Sequence, residues 1–258
     1  MAPPCAKPGA PVFARSMSDD PKPDLPPHPS LTALRTHRNF YGRVHGKTLR
    51  PSQKEYLSED LATLRLRNVS FDENPDRRVL DLAELPGTGP VWLEVGFGGG
   101  EHLAHMAGRY SDVRLIGCEP FVNGVAMLLG LLRRNPVQNT AIHPGDVRDL
   151  FDVLPDGCIE KVFLNYPDPW PKARHHRRRF VTPEHLEPLH RVTAPGAEFR
   201  VATDIPDYAR QTLEEVPAAG FALVSDSRVP WNDWFSTRYE QKALREGRVP
   251  QYLTFRRG

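Results

Sequence analysis

The segment Val91-Trp-Leu-Glu-Val-Gly-Phe-Gly-Gly-Gly-Glu101 constrains the fold more than any other part of the chain. A short apolar, β-branched run reads as a strand buried on both faces, and it passes directly into a turn with glycine at 96, 98 and 100. Without side chains the backbone can turn sharply there, and a flat ligand can approach it. Helical spacing follows over His102–Arg109. Strand, glycine turn and helix in that order predict the first unit of a doubly wound sheet, whose ligands bind at the carboxyl ends of the strands.

The alternation continues through the second half of the chain. Strands are predicted at Val91–Val95, Arg114–Cys118, Thr140–His143, Lys161–Asn165, Phe199–Thr203, Ala222–Ser225 and Tyr252–Phe255. Helices are predicted at His102–Arg109, Val122–Arg134, Pro183–His190 and Pro206–Glu215, the last two opening on a proline that the first helical turn tolerates. The expectation is an α/β fold: a mostly parallel, seven-stranded sheet with helices on both faces. Three regions are expected: a disordered proline-rich tail over residues 1–29, a basic arm with a helical extension over 30–89, and the sheet domain over 90–258. The tail holds nine of the 27 prolines and has no apolar periodicity, so burial cannot offset its ordering entropy.

Charge is close to balanced, 34 Lys and Arg against 32 Asp and Glu, which excludes a uniformly polybasic nucleic-acid binder. Its distribution is uneven. Residues 31–54 carry six cations and no acid around Phe40-Tyr41, and read either as a solvated linker or as an arm that follows phosphates. No apolar run reaches the roughly 18 residues of a membrane span. The start lacks the apolar stretch of a secretory signal. Three cysteines without CxxC spacing support neither a disulfide framework nor a zinc site, and a reducing cytoplasm fits best. His102 and His105 lack the H-E-x-x-H order, so no metal is expected.

Two carboxylates narrow the ligand of the glycine turn. Glu94 lies inside the strand, and Glu119 ends the next one, where a carboxylate can accept from both hydroxyls of a ribose. A dinucleotide turn is written G-x-G-x-x-G so that helix amides are free for a pyrophosphate. Here Gly96, Gly98 and Gly100 give G-x-G-x-G, and Glu94 would repel a pyrophosphate but attract the cationic aminoacyl end of S-adenosyl-L-methionine. Asp146, after the third strand, can accept from an adenine amino group, although alone it would more often cap a helix.

After the fourth strand comes Asn165-Tyr-Pro-Asp-Pro-Trp-Pro-Lys172, in which two prolines fix the backbone on either side of Asp168. Lys172, Arg174, Arg177, Arg178 and Arg179 then place five cations without an acid beside the expected pocket, as a phosphate clamp would. Asp204 ends the fifth strand at the same edge. In Trp231–Glu240 the aromatics read first as core, while Thr237, Arg238 and Glu240 could read a purine edge.

From about Arg35 onward the sequence resembles the bacterial tRNA (guanine-N7)-methyltransferases, through Leu93-Glu-Val-Gly-Phe-Gly-Gly-Gly100, Pro167-Asp-Pro-Trp-Pro-Lys172, Thr203-Asp204 and Thr237-Arg-Tyr-Glu240. The resemblance implies a Rossmann-like class I methyltransferase fold and methyl transfer from S-adenosyl-L-methionine to N7 of guanine 46 in the tRNA variable loop. It implies that Glu94, Gly96, Gly98, Glu119, Asp146 and Asp168 line the cofactor site, with Asp168 the catalytic position. Lys172, Asp204, Thr237, Arg238, Tyr239 and Glu240 would contact the tRNA. The family often has Lys-Phe where this chain has Arg238-Tyr239, and tryptophan where it has Ile205. A cytoplasmic monomer or homodimer, with tRNA as partner and neither metal nor membrane, is the expectation. Rival readings are a methyltransferase acting on an exocyclic amino group of another RNA, and a non-catalytic RNA-binding protein of the same fold.

Overall fold

The computed structural model describes residues 40–258; the tail predicted over residues 1–29, and the beginning of the basic segment, lie outside them. Among the described residues, β1 (Val91–Val95), β2 (Arg114–Cys118), β3 (Thr140–His143), β4 (Ile159–Asn165), β5 (Thr193–Thr203), β6 (Phe221–Ser227) and β7 (Gln251–Arg257) form one sheet in the order β3-β2-β1-β4-β5-β7-β6. Neighbours from β3 across to β5 pair in parallel, and β7 runs antiparallel to both β5 and β6. The chain enters the sheet at its centre, moves outward to β3, then crosses back to β4. That reversal beside β1 opens a crevice at the carboxyl ends of β1 and β4.

Eight α-helices accompany the strands among the described residues: α1 (Pro51–Glu59), α2 (Leu61–Leu64), α3 (Glu101–Arg109), α4 (Val122–Arg134), α5 (Val147–Phe151), α6 (Pro183–Val192), α7 (Pro206–Ala218) and α8 (Arg238–Arg245). Alternation along the strands divides the core between two faces. Trp92, Leu115, Ile142 and Phe163 pack with Leu103 and Met106 of α3 and with Val125 and Leu128 of α4. Leu93, Val95, Ile116, Val162 and Leu164 face the other way, toward Phe151 of α5, Leu186 and Leu189 of α6 and Tyr208 of α7. Each such side chain, fully buried, contributes about 1.5–3 kcal/mol of transfer free energy. No helix among the described residues is long and apolar enough to cross a membrane.

The bounds of β1, β2, β3 and α4 are those the sequence predicts. β5 differs, because it begins six residues early and carries Pro195-Gly196 within it. Its pairing with β4 jumps from Ile159↔Thr193 to Lys161↔Glu198, so the Pro-Gly pair is an irregularity inside the strand and not its boundary. Both proline-opened helices start as predicted, and both run past the predicted ends, to Val192 and Ala218.

The segment ahead of the sheet is docked. Arg133 of α4 gathers Glu55, Glu59 and Asp60 at 2.5, 2.7 and 3.0 Å, fastening α1 along α4. Farther upstream, Val122 N–H donates to the Val44 carbonyl at 2.9 Å. Asn123 accepts from Gly46 N–H at 2.8 Å and donates to the Lys47 carbonyl at 2.7 Å. Residues 44–47 therefore lie across the start of α4, which brings Phe40–Arg43 to the carboxyl edge of the sheet.

Candidate active site

A cavity of about 690 Å³ lies at that edge, within the size range of small-molecule and cofactor sites. Its floor is the glycine turn and the ends of β1, β2 and β4. Its walls are the loops that follow these strands, together with Phe40, Tyr41, Gly42 and Arg43 from the docked segment.

Gly96 and Gly98 adopt left-handed backbone, with φ of +69° and +56°, which a residue with a Cβ enters only at a cost. A Cβ at Gly96 would meet nothing within 4 Å, so bare backbone faces the cavity there. The turn is held from the next strand. Glu119 accepts from Gly98 N–H at 2.7 Å and from Phe121 N–H at 2.9 Å. Burial pushes its carboxyl up to about 7; those two donors pull the other way, while Asp168 and Glu94 repel it further.

Glu94 is 2% exposed, in the middle of a fully buried strand. An isolated carboxylate there would be costly, and two donors compensate it: His102 Nδ1 at 2.8 Å and Asn165 Nδ2 at 3.4 Å. Asp146 caps α5 by accepting from Arg148 N–H at 2.9 Å and also pairs with the Arg148 guanidinium at 2.6 Å. Burial works to raise its carboxyl, but the Arg148 bonds outweigh that and hold it below the usual range. The cap that its sequence position suggests and a place on the cavity wall coexist. Glu94, Gly96, Gly98, Glu119, Asp146 and Asp168 all line the one cavity.

The loop over Pro167–Pro169 is bracketed by Tyr166 and Trp170 with φ of +50° and +39°. Left-handed backbone at two aromatic residues is rare and is typically stored at functional sites. Water still reaches Asp168 through the cavity mouth, but the surrounding walls desolvate its carboxyl and raise it above the usual range, with the Arg43 charge opposing.

The cationic run does not act as one unit. Arg178 lies between two rings, 4.7 Å from the centroid of Tyr41 and 5.0 Å from that of Trp170, and lines the cavity with Arg177. Lys172 and Arg174 are exposed outside the cavity. Arg179 corrects the expectation of five clamp cations: it is 1% exposed and turned into the protein, where carbonyl and carboxylate acceptors compensate its charge.

The expected tRNA-contact residues are divided as well. Thr237, which caps α8, and Tyr239, whose ring covers Gly98, line the cavity. Arg238 pairs with Glu101 at the start of α3, and Asp204 with Arg248. Glu240 is 4% exposed and accepts from Trp234 Nε1 and the Tyr252 hydroxyl, which makes it the polar centre of a box formed by Trp231, Trp234 and Tyr252. The core reading of these aromatics is corrected: Trp231 and Trp234 are half-buried, outside both core clusters and packed on Tyr252, and Phe235 is exposed. Among the described residues no cluster of His, Cys, Asp and Glu is arranged to hold a metal ion.

Sequence reasoning missed His102, Asn165 and Arg43. His102 is the second residue of α3, behind the glycine turn, and Asn165 ends β4, so both are close in sequence to recognised motifs. Arg43 carries no such signal, since its place depends on the Asn123 tether.

Residues 88–251 match a family described as "Putative methyltransferase". The tRNA (guanine-N(7)-)-methyltransferase of Paracoccus denitrificans is 71% identical over 221 residues, which cover 85% of this chain and 95% of that protein. That of Cereibacter sphaeroides is 72% identical over 220 residues, covering 85% of this chain and 91% of that one. The crystal structure of the 16S rRNA methyltransferase KamB has the same fold, with a TM-score of 0.52 at 16% identity over 73% of this chain and 94% of that one.

Proposed function

The chain belongs to the tRNA (guanine-N7)-methyltransferase family, and from that premise we propose that it transfers a methyl group from S-adenosyl-L-methionine to N7 of guanine 46 in the tRNA variable loop. The observation that carries the reading is the convergence of Glu94, Glu119, Asp146 and Asp168, from the ends of four successive strands, on one cavity floored by bare glycine backbone.

The residues present fit the donor. Glu119 spends lone pairs on two main-chain N–H groups and keeps others for ribose hydroxyls. Glu94, oriented by His102 and Asn165, offers negative charge to a cationic aminoacyl end. Asp146, on the cavity wall, would accept from the adenine amino group. When bound, S-adenosyl-L-methionine supplies an electrophilic methyl group on a sulfonium.

Guanine N7 bears a lone pair and no proton, so the protein need not supply a strong base. Its tasks are in-line placement, exclusion of water and stabilisation of the positive charge that grows on the purine. Tyr41, Trp170 and Tyr239 furnish flat apolar walls, and Asp168, exposed on the same cavity, supplies the counter-charge. Arg177 and Arg178 at the rim, with exposed Lys172 and Arg174 beyond it, offer contacts to the phosphates.

The test is to incubate the purified protein with labelled S-adenosyl-L-methionine and transcribed tRNAs that have or lack guanine at the variable-loop position, then to map 7-methylguanosine by chain cleavage. Label is expected only on tRNAs with that guanine; equal label on both breaks the site assignment.

A further inference from the structure

Arg179 ends a run of cations, yet its side chain is 0% exposed. Nε donates to the Pro169 carbonyl at 2.8 Å, and a terminal nitrogen approaches the Trp170 carbonyl at 3.4 Å. The other side of the fork reaches α7, with Gln211 Oε1 at 2.8 Å and Asp207 Oδ2 at 2.9 Å. Gln211 is itself fixed, since its amide donates to the Val181 carbonyl at 2.8 Å. A buried ion pair is weak evidence of stabilisation, because well-packed apolar residues often serve as well. What a planar guanidinium adds is direction: several N–H donors in a fixed geometry.

These donors grip the two carbonyls that immediately follow Asp168. On the upstream side, Tyr166 N–H donates to the Ala202 carbonyl of β5 at 2.8 Å. Between the two anchors, Pro167 and Pro169 fix φ, and the left-handed turns at Tyr166 and Trp170 persist only if the surroundings hold them. We propose that Arg179 is a positioning residue for Asp168, clamping the Pro169 and Trp170 carbonyls to α7 so that the carboxylate keeps its place on the cavity wall. Its function is thus separate from that of the cations beside it in sequence, which face solvent or the cavity.

The inference rests on the proposed methyl transfer to tRNA. Transfer by the unaltered protein tests that reading; ratios between variants test Arg179. Arg179→Lys keeps the charge and loses the fork. The expected result is a folded protein with melting temperature and tRNA KM near those of the unaltered chain and kcat lower by about tenfold. The same change in an Asp168→Asn background should cost less than about twofold, because the residue through which Arg179 acts is already disabled. Gln211→Leu, which frees one side of the fork without touching the loop, should lower kcat by about threefold with the same loss of effect in the Asp168→Asn background. Unchanged kcat in folded Arg179→Lys overturns the proposal, as do equal losses in both backgrounds. If Arg179→Lys does not fold, the Gln211→Leu pair decides by the same criterion.

Discussion

Two walls of the cavity are held in opposite ways. On one side the glycine turn is an extension of the sheet: β1 keeps register with β2 along its whole length and with β4 from Trp92 onward, and Glu119 meets the main-chain N–H groups of Gly98 and Phe121. Facing it, the Pro167–Trp170 loop has left the sheet, and it is held by one main-chain bond to β5, by the Arg179 fork and by backbone conformations that would relax if released. The first wall cannot move without disturbing the core. The second depends on those few bonds, so a change in one of them should displace it while the core stays intact. Donor binding should therefore depend on the fold, and the rate of transfer on a few side chains.

The strongest attempt to break this division is Asp168→Asn, which preserves shape and removes charge from the second wall. It is expected to lower kcat about 100-fold, with tRNA KM little changed, in steady-state assays at saturating donor. A loss confined to KM would place Asp168 in ground-state binding instead. On the rigid wall, Gly98→Val forces a β-branched residue into left-handed backbone and sets its Cβ 3.2 Å from the Tyr239 ring. Strain of about 1–3 kcal/mol should weaken S-adenosylhomocysteine binding by one to two orders of magnitude in calorimetric titration; undiminished affinity would mean that the donor does not lie on this turn.

The Glu119 carboxyl gives a gentler test of the same wall, because burial pushes it up to about 7 from an ordinary 4.5. The unfolded chain ionises first, so this group favours the fold most below the ordinary value and its contribution is lost as pH rises to about 7. Under the proposed role of Glu119 as acceptor for the donor's ribose hydroxyls, donor binding should run the other way, because that role needs the ionised carboxylate. Affinity for S-adenosylhomocysteine should fall by up to about tenfold per pH unit below about 7 and become flat in Glu119→Gln, as read by titration across pH. The smallest effect belongs to the rim. Lys172→Ala should weaken tRNA binding severalfold and reduce the slope of log affinity against log salt by about one; an unchanged slope would remove Lys172 from the phosphate path.

Legibility in sequence followed the same division. The glycine-turn wall could be read because each of its parts has a local signal: turn glycines directly after a buried apolar run, and carboxylates in or within a few residues of the predicted strand ends. Glu94, Glu119 and Asp146 reach the cavity as that pattern predicts. On the other wall, the loop could be read from its prolines, but its support could not. In a run of cations Arg179 has no local mark to set it apart, and its burial depends on acceptors at Asp207 and Gln211 some thirty residues on. Glu240 deceived in the same way, a charged residue in a polar-looking segment that turns inward because Trp234 and Tyr252 require an acceptor. Phe40–Arg43 reached the cavity wall through Asn123, a contact across the chain that no periodicity records.

The strand order also makes β6 depend on β7. β6 pairs with β7 alone, and β7 occupies the interior position between β5 and β6. In chain order β6 precedes β7, the strand it pairs with among the described residues, and without β7 the edge of β5 would have no partner. The Glu240 box depends on the same strand, since it needs Tyr252 of β7. Residues 251–257 thus act as a clasp: among the described strands they alone join β6 to the rest of the sheet.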